Sequence, residues 1–242
     1  MTALGGATNP YVGPSSRRAC ELLKAGADPL TTGVHGDTDG GAMRVSPVGL
    51  INPGDVDRAI AEAVVACTPT HFTAVAVSGA AAVAAAVAAA MVPGATLDDI
   101  LDAGKVGAIE GRKHGEVWLG ASINRRIDMA ADIARGPGSE YDRVIDMFEL
   151  VGSTLMTTDT VPSAFGMVVL SDGDLMACAR YSAAISGDAD TVGAIACAIV
   201  GAWKGIGAFP AEVVATLETV NAEYDFRAVA EGLTDLAIER RG

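Results

Sequence analysis

Along the chain, runs of small apolar residues at helical spacing alternate with short polar breaks marked by Gly and Pro. The segment "SSRRACELLKAG" (15–26) predicts a helix that Ser15 or Ser16 caps and Gly26 closes. "NPGDVDRAIAEAVVACTPT" predicts a helix from about Pro53 to Cys67, with Pro69 beyond its end. "FTAVAVSGAAAVAAAVAAAMV" (72–92) carries no charge and is long enough to cross a bilayer. It is mostly Ala, with no flanking Lys/Arg cluster, so it reads as a helix buried on all sides, stopping near Pro93-Gly94. "TLDDILDAGKVGAIEGRKHG" opens with a cap at Thr96 and fades into a polar loop. Amphipathic helices follow in "ASINRRIDMAADIARG" and "SEYDRVIDMFELVG", and "TVPSAFGMVVLS" suggests a helix starting at Pro162. "DGDLMACARYSAAIS" leads into "GDADTVGAIACAIVGAWKGIGAFP", and the tail is helical with a break near Tyr224. Period-two alternation is scarce and no repeat emerges. The expected fold is all-α, a compact single-domain helical bundle over residues 1–242.

Composition sharpens this picture. Hydrophobic residues make up 50% but aromatics only 5%, so the core must be Ala, Val, Ile and Leu, which lets helix axes approach closely. The formal net charge of −13 argues against nucleic acid and anionic membrane as partners. A phosphate-bearing ligand would need a metal, an Arg or backbone amides. Cys20, Cys67, Cys178 and Cys197 lack CxxC spacing and sit among apolar neighbours, as buried thiols of a reducing, cytoplasmic compartment do. The N-terminus lacks the basic-then-apolar pattern of a secretory leader.

Two carboxylates, Asp188 and Asp190, and the hydroxyl of Thr191 stand at the mouth of the apolar helix. One reading is structural: Asp188 caps the helix and the acids favour the positive end of its dipole. The other is a hard cation, since Mg²⁺ takes one or two carboxylates plus water and substrate oxygens. Gly193, Cys197, Gly201 and Gly205 then recur every four residues, a smooth stripe against which a second helix would pack.

These residues resemble the ADP-ribosylglycohydrolase family, of the dinitrogenase-reductase activating glycohydrolase type. "GDADTVGAIACAIVGAWKGIGAFP" is similar to its Gly-Asp-x-Asp-Thr turn and Gly/Ala helix. "TDGGAMRVSPVGL" is similar to its Asn-Gly-x-x-Met-Arg-x-x-Pro loop, with Asp39 where Asn is usual. "CTPTHFTAVAVSGAAAVAAAVAAAM" resembles its Thr-His helix entry, and "TVPSAFG" and the C-terminal helix keep its order. Family members carry Gly-Asp-x-x-Gly and Thr-Asp-Asp-Thr segments upstream of the loop, which supply the other half of a two-magnesium site. Here the loop begins about forty residues in, so the chain is expected to start after that half. "TTDT" (157–160) has a suggestive composition but lies where the family has no ligands.

The resemblance implies Mg²⁺, one or two ions, held by Asp188, Asp190 and Thr191, with Asp188 and Asp190 catalytic. It places Asp37, Thr38, Asp39, Gly40, Gly41, Met43, Arg44 and His71 against the substrate. Asp37 and Asp39 would meet ribose hydroxyls or form Asx turns. The 36–44 loop would offer amides to the pyrophosphate. Arg44 would face phosphate or brace the loop through carbonyls, and His71 would contact substrate or cap its helix. His114 reads as a solvated loop residue.

Three functions fit. The first is a magnesium-assisted hydrolase cleaving an N- or O-glycosidic bond of ADP-ribose on a protein or small molecule, with a separate chain supplying the absent ligands. The second is a degenerate relative that binds ADP-ribose or a nucleotide without hydrolysis. The third is a crystallin-like structural protein. Calorimetry with ADP-ribose, with and without magnesium, separates the last two.

Overall fold

The computed structural model describes residues 12–240. The leader reading falls largely on residues 1–11, outside the described residues. Among the described residues twelve α-helices and no strand form, confirming the all-α expectation. They are α1 (Pro14–Lys24), α2 (Ser46–Leu50), α3 (Val56–Cys67), α4 (Ala74–Ala90), α5 (Leu97–Gly111), α6 (Ile123–Ala134), α7 (Glu140–Leu150), α8 (Thr157–Ser171), α9 (Leu175–Ala184), α10 (Ala189–Lys204), α11 (Ala211–Val220) and α12 (Phe226–Glu239).

The uncharged α4 is the axis of the molecule. Thr73 caps it, its Oγ1 accepting from the Ala76 amide at 3.3 Å, and every residue from Val75 to Ala90 is buried. Helices α2, α3, α5, α8 and α10 pack around it. Among the described residues no helix is long and apolar enough to cross a membrane.

Helix α5 starts at a reciprocal capping box of Thr96 and Asp99. It does not fade as the sequence suggested but runs through Gly104 and Gly107 to Gly111. Glycine costs a helix about 1 kcal/mol relative to Ala. Here that cost permits contact with α4: a Cβ on Gly107 would lie 2.4 Å from the Ala81 carbonyl oxygen, and one on Gly111 2.8 Å from that of Val77.

Helix α8 starts at Thr157, five residues before the expected Pro162, which lies inside the helix. Proline has no N–H to give the Thr158 carbonyl. Arg126 of α6 supplies the donor instead, its Nη1 reaching Thr158 O at 2.7 Å. The same guanidinium pairs with Asp159 at 2.7 Å and bonds the Val151 carbonyl.

Two further expectations are corrected. Helix α1 is capped at Gly13 without a side-chain bond, with Pro14 presetting its first turn. Ser15 Oγ turns away to Thr38 Oγ1 at 2.8 Å. Helix α10 buries Val192, Ile195, Ala196, Ile199 and Val200, not the Gly/Cys stripe. A Cβ on Gly201 or Gly205 would meet nothing within 4 Å. The branched side chains remove far more apolar area from water than glycines do, so they take the core-facing side. The tail breaks at 221–225, as expected; α11 buries no residue and α12 only Ala237.

Candidate active site

The start of α10 is held by its preceding turn. Gly187 has φ +62°, and a Cβ there would lie 1.9 Å from the Ser153 carbonyl oxygen, so only glycine fits. The Asp188 amide donates to that carbonyl at 3.0 Å. Ser153 Oγ donates to Ser186 O, also at 3.0 Å. Asp188 therefore occupies the N-cap position, yet its side chain makes no cap bond. Instead, its Oδ2 is buried with no hydrogen-bond partner. An orphaned buried carboxylate oxygen is costly unless a partner satisfies it.

Asp39 faces it. This residue opens a short 3-10 turn over Asp39–Gly41 and is 3% exposed. Its amide donates to Leu155 O at 3.0 Å, beside an isolated bridge between Thr38 and Met156. Thr160 Oγ1 donates to Asp39 Oδ2 at 2.8 Å. Burial, then the contact with the Asp188 carboxylate, pushes the Asp39 carboxyl up to about 8, while Thr160 works against the rise. Burial and the facing Asp188 carboxylate therefore favour the protonated form of Asp39 at neutral pH.

His71 forms the floor. It is 1% exposed, with Nδ1 bonded to Thr70 Oγ1 at 2.8 Å and Nε2 to Thr38 Oγ1 at 3.2 Å. Burial and then the nearby Arg44 charge lower it to about 4, so the ring is neutral. It does not cap α4, since Thr73 does. The loop glycines make room for this ring: a Cβ on Gly40 would lie 2.8 Å from Nε2, and one on Gly41 3.1 Å from the ring's own Cβ. Gly36 likewise accommodates the Thr70 carbonyl. The amides of Gly36, Asp39, Ala42 and Met43 are already spent on backbone carbonyls. Arg44 braces the loop, bonding Thr70 Oγ1 and, at 3.4 Å, the Ala66 carbonyl.

The result is a cleft of about 180 Å³. Thr38, Asp39, Gly40, Met43, Arg44, His71, Asp188, Asp190 and Thr191 line it, segments far apart in sequence. Asp190 is exposed, and the Thr191 hydroxyl meets Met43 Sδ at 3.9 Å. Gly41 is buried behind the lining. Asp37 turns elsewhere: its Oδ2 accepts from Trp118 Nε1 at 3.0 Å and its carbonyl from Thr157 Oγ1 at 2.9 Å. His114 is exposed. Among the described residues no group of three or more His, Cys, Asp and Glu stands ready for a metal ion. Sequence reasoning missed Ser16 and Leu155, which line the cleft, and Thr160 behind it. The "TTDT" segment was the available signal for Thr160.

Comparison with known proteins agrees with the geometry. Residues 3–242 match the family described as ADP-ribosylglycohydrolase. The uncharacterized protein YegU of Escherichia coli (strain K12) is 33% identical over 230 residues, covering 95% of this chain and 68% of the relative. An uncharacterized protein of Archaeoglobus fulgidus is 29% identical over 196 residues, covering 79% of this chain and 57% of that relative. The chain thus spans roughly two thirds of one relative and just over half of the other. With nearly its whole length matched, and the Gly-Asp-x-Asp-Thr turn and the Met-Arg loop meeting in one cleft, the chain belongs to the ADP-ribosylglycohydrolase family.

Proposed function

We propose that the cleft binds ADP-ribose and hydrolyses its N- or O-glycosidic bond to a protein or small acceptor, with magnesium assistance. The observation that carries this reading is the convergence of Asp39, His71, Asp188, Asp190 and Thr191 on one cleft, with Asp188 Oδ2 buried and without a hydrogen-bond partner. Asp188, Asp190 and Thr191 would hold the ion. They offer at most three side-chain groups, and magnesium wants about six oxygens. Water, substrate and an acidic segment supplied by a second chain would complete the set.

When bound, such an ion supplies Lewis acidity and positive charge against an otherwise acidic surface. The residues of the chain do the rest. Asp39 stands against Asp188 and helps to fix its orientation. Asp190, exposed and lining the cleft, would take a proton from the attacking water. Neutral His71 holds the Thr38 hydroxyl toward the cleft. Arg44 is committed to its loop and contributes distant positive charge, not a direct phosphate clamp. The free thiols, of which Cys67 and Cys178 are buried, and the net charge of −13 suit a cytoplasmic protein that meets neither nucleic acid nor membrane.

The test is calorimetry with ADP-ribose, with and without magnesium, followed by hydrolysis assays. ADP-ribose binding should tighten with magnesium, and Asp188→Asn should remove the increment. Adding a fragment with the Thr-Asp-Asp-Thr half-site should raise hydrolysis, and Asp190→Ala should abolish the gain. No ADP-ribose binding under either condition sinks the reading.

A further inference from the structure

Cys178 on α9 and Cys197 on α10 take no part in the cleft, and neither is bridged. Cys178 is fully buried and Cys197 half-buried. Helices α9 and α10 are joined by four residues and pack side by side. Near that connection a Cβ on Gly193 would lie 3.5 Å from Ser182 Cβ, an ordinary van der Waals contact. One turn farther from the connection, in opposite directions along an antiparallel pair, come Cys197 and Cys178. Disulfides form where Cβ atoms stand about 3.5–4.5 Å apart, and the close approach of α9 and α10 at Gly193 and Ser182 sets the two helices within that reach. Each thiol perturbs the other: Cys197, then burial, raises the Cys178 thiol far above the ordinary range, and Cys178 draws Cys197 below it.

We propose that Cys178 and Cys197 form a reversible disulfide that staples α9 to α10, with a peroxide as electron acceptor. Cys197 is the more exposed and the more acidic thiol, so it reacts first. Its sulfur attacks a peroxide oxygen; an S–O bond forms, the O–O bond breaks, and the leaving oxygen departs as water with the thiol proton. The Cys178 sulfur then attacks the Cys197 sulfenic acid. The S–S bond forms, the S–O bond breaks, and the hydroxyl leaves with the Cys178 proton as a second water. Two electrons pass from the thiols to the peroxide, and a dithiol returns them on reduction. Cys197 lies about 9 Å along α10 from Thr191, at 1.5 Å rise per residue, so the staple holds the helix that carries Asp190 and Thr191.

The native chain is treated with hydrogen peroxide, alkylated and digested with trypsin without reductant. Cleavage after Arg143, Arg180 and Lys204 separates the two cysteines into peptides 144–180 and 181–204. These peptides should appear cross-linked, about 2 Da below their summed mass, and separate on adding dithiothreitol. Cys67, whose thiol burial pushes up to about 12, should remain alkylatable after unfolding. In Cys178→Ser protein the Cys197 sulfenic acid should accumulate and be trapped by dimedone. Recovery of Cys197 as sulfinic acid with Cys178 still a thiol overturns the proposal, as does a dithiothreitol-sensitive bridge joining two molecules. The wild-type peptide map decides by itself if the variant does not fold.

Discussion

Thr160 and Asp39, 121 positions apart, meet through a 2.8 Å hydrogen bond beneath the cleft. The Thr160 hydroxyl proton is shared between Asp39 Oδ2 and the Thr154 carbonyl, so one side chain ties the first turn of α8 to the loop and to the strand-like segment before it. Thr160→Val keeps the shape and removes the hydroxyl. Unfolding in urea should show a loss of about 1–3 kcal/mol, the cost of unpaired buried polar groups. Thr160→Ser should restore most of it. Equal losses in both variants would assign the effect to packing instead.

Asp39 and His71 impose opposite pH dependences. The Asp39 carboxyl rises from 3.8 to about 8 on folding, so its contribution is complete below about 3.8 and is lost as pH climbs to 8. His71 falls from 6.5 to about 4, so its contribution is complete above 6.5 and is lost as pH falls to 4. Between about 4 and 6.5 the two slopes cancel, and wild-type stability should decline mainly between 6.5 and 8. In chelator, Asp39→Asn should become more stable as pH rises from 4 to 6.5. His71→Gln should lose stability throughout the range from 4 to 8. Urea midpoints at half-unit pH steps would read both, and parallel curves for all three proteins would refute the pairing.

Gly107→Ala separates helix propensity from packing. Propensity alone predicts a gain of about 1 kcal/mol. The new methyl would lie 2.4 Å from the Ala81 carbonyl oxygen, inside contact distance of backbone in the central helix. A net loss of about 1–3 kcal/mol is expected. A raised melting temperature would mean that α5 and α4 part without cost.

Much of this arrangement is legible in the amino-acid order. The absence of charge from 72 to 92 marks α4, because only a helix surrounded by others can do without a polar face. Thr96 and Asp99 announce α5, and the motifs around Asp188 and Arg44 point to one site. What escaped reading depends on partners that local patterns do not encode. The glycines of α5 look like breakers until the α4 backbone is seen to fill their space. Pro162 looks like a helix start until Arg126 is found serving the carbonyl it leaves free. The smooth stripe of α10 looked like a packing face, but the branched residues on the other side had more area to hide. Thr160 was set aside with its TTDT segment because its partner, Asp39, lies in a distant loop.

The bond from Arg126 to the Thr158 carbonyl makes the start of α8 depend on α6. A proline in its second turn leaves the start of α8 one bond short of closing by itself, and the missing donor arrives only when α6 docks. That same first turn presents Thr157 to Asp37 and Thr160 to Asp39. That side of the cleft therefore depends on two helices meeting, so a change that loosens α6 from α8 reaches the ligand's surroundings without touching a residue that lines them.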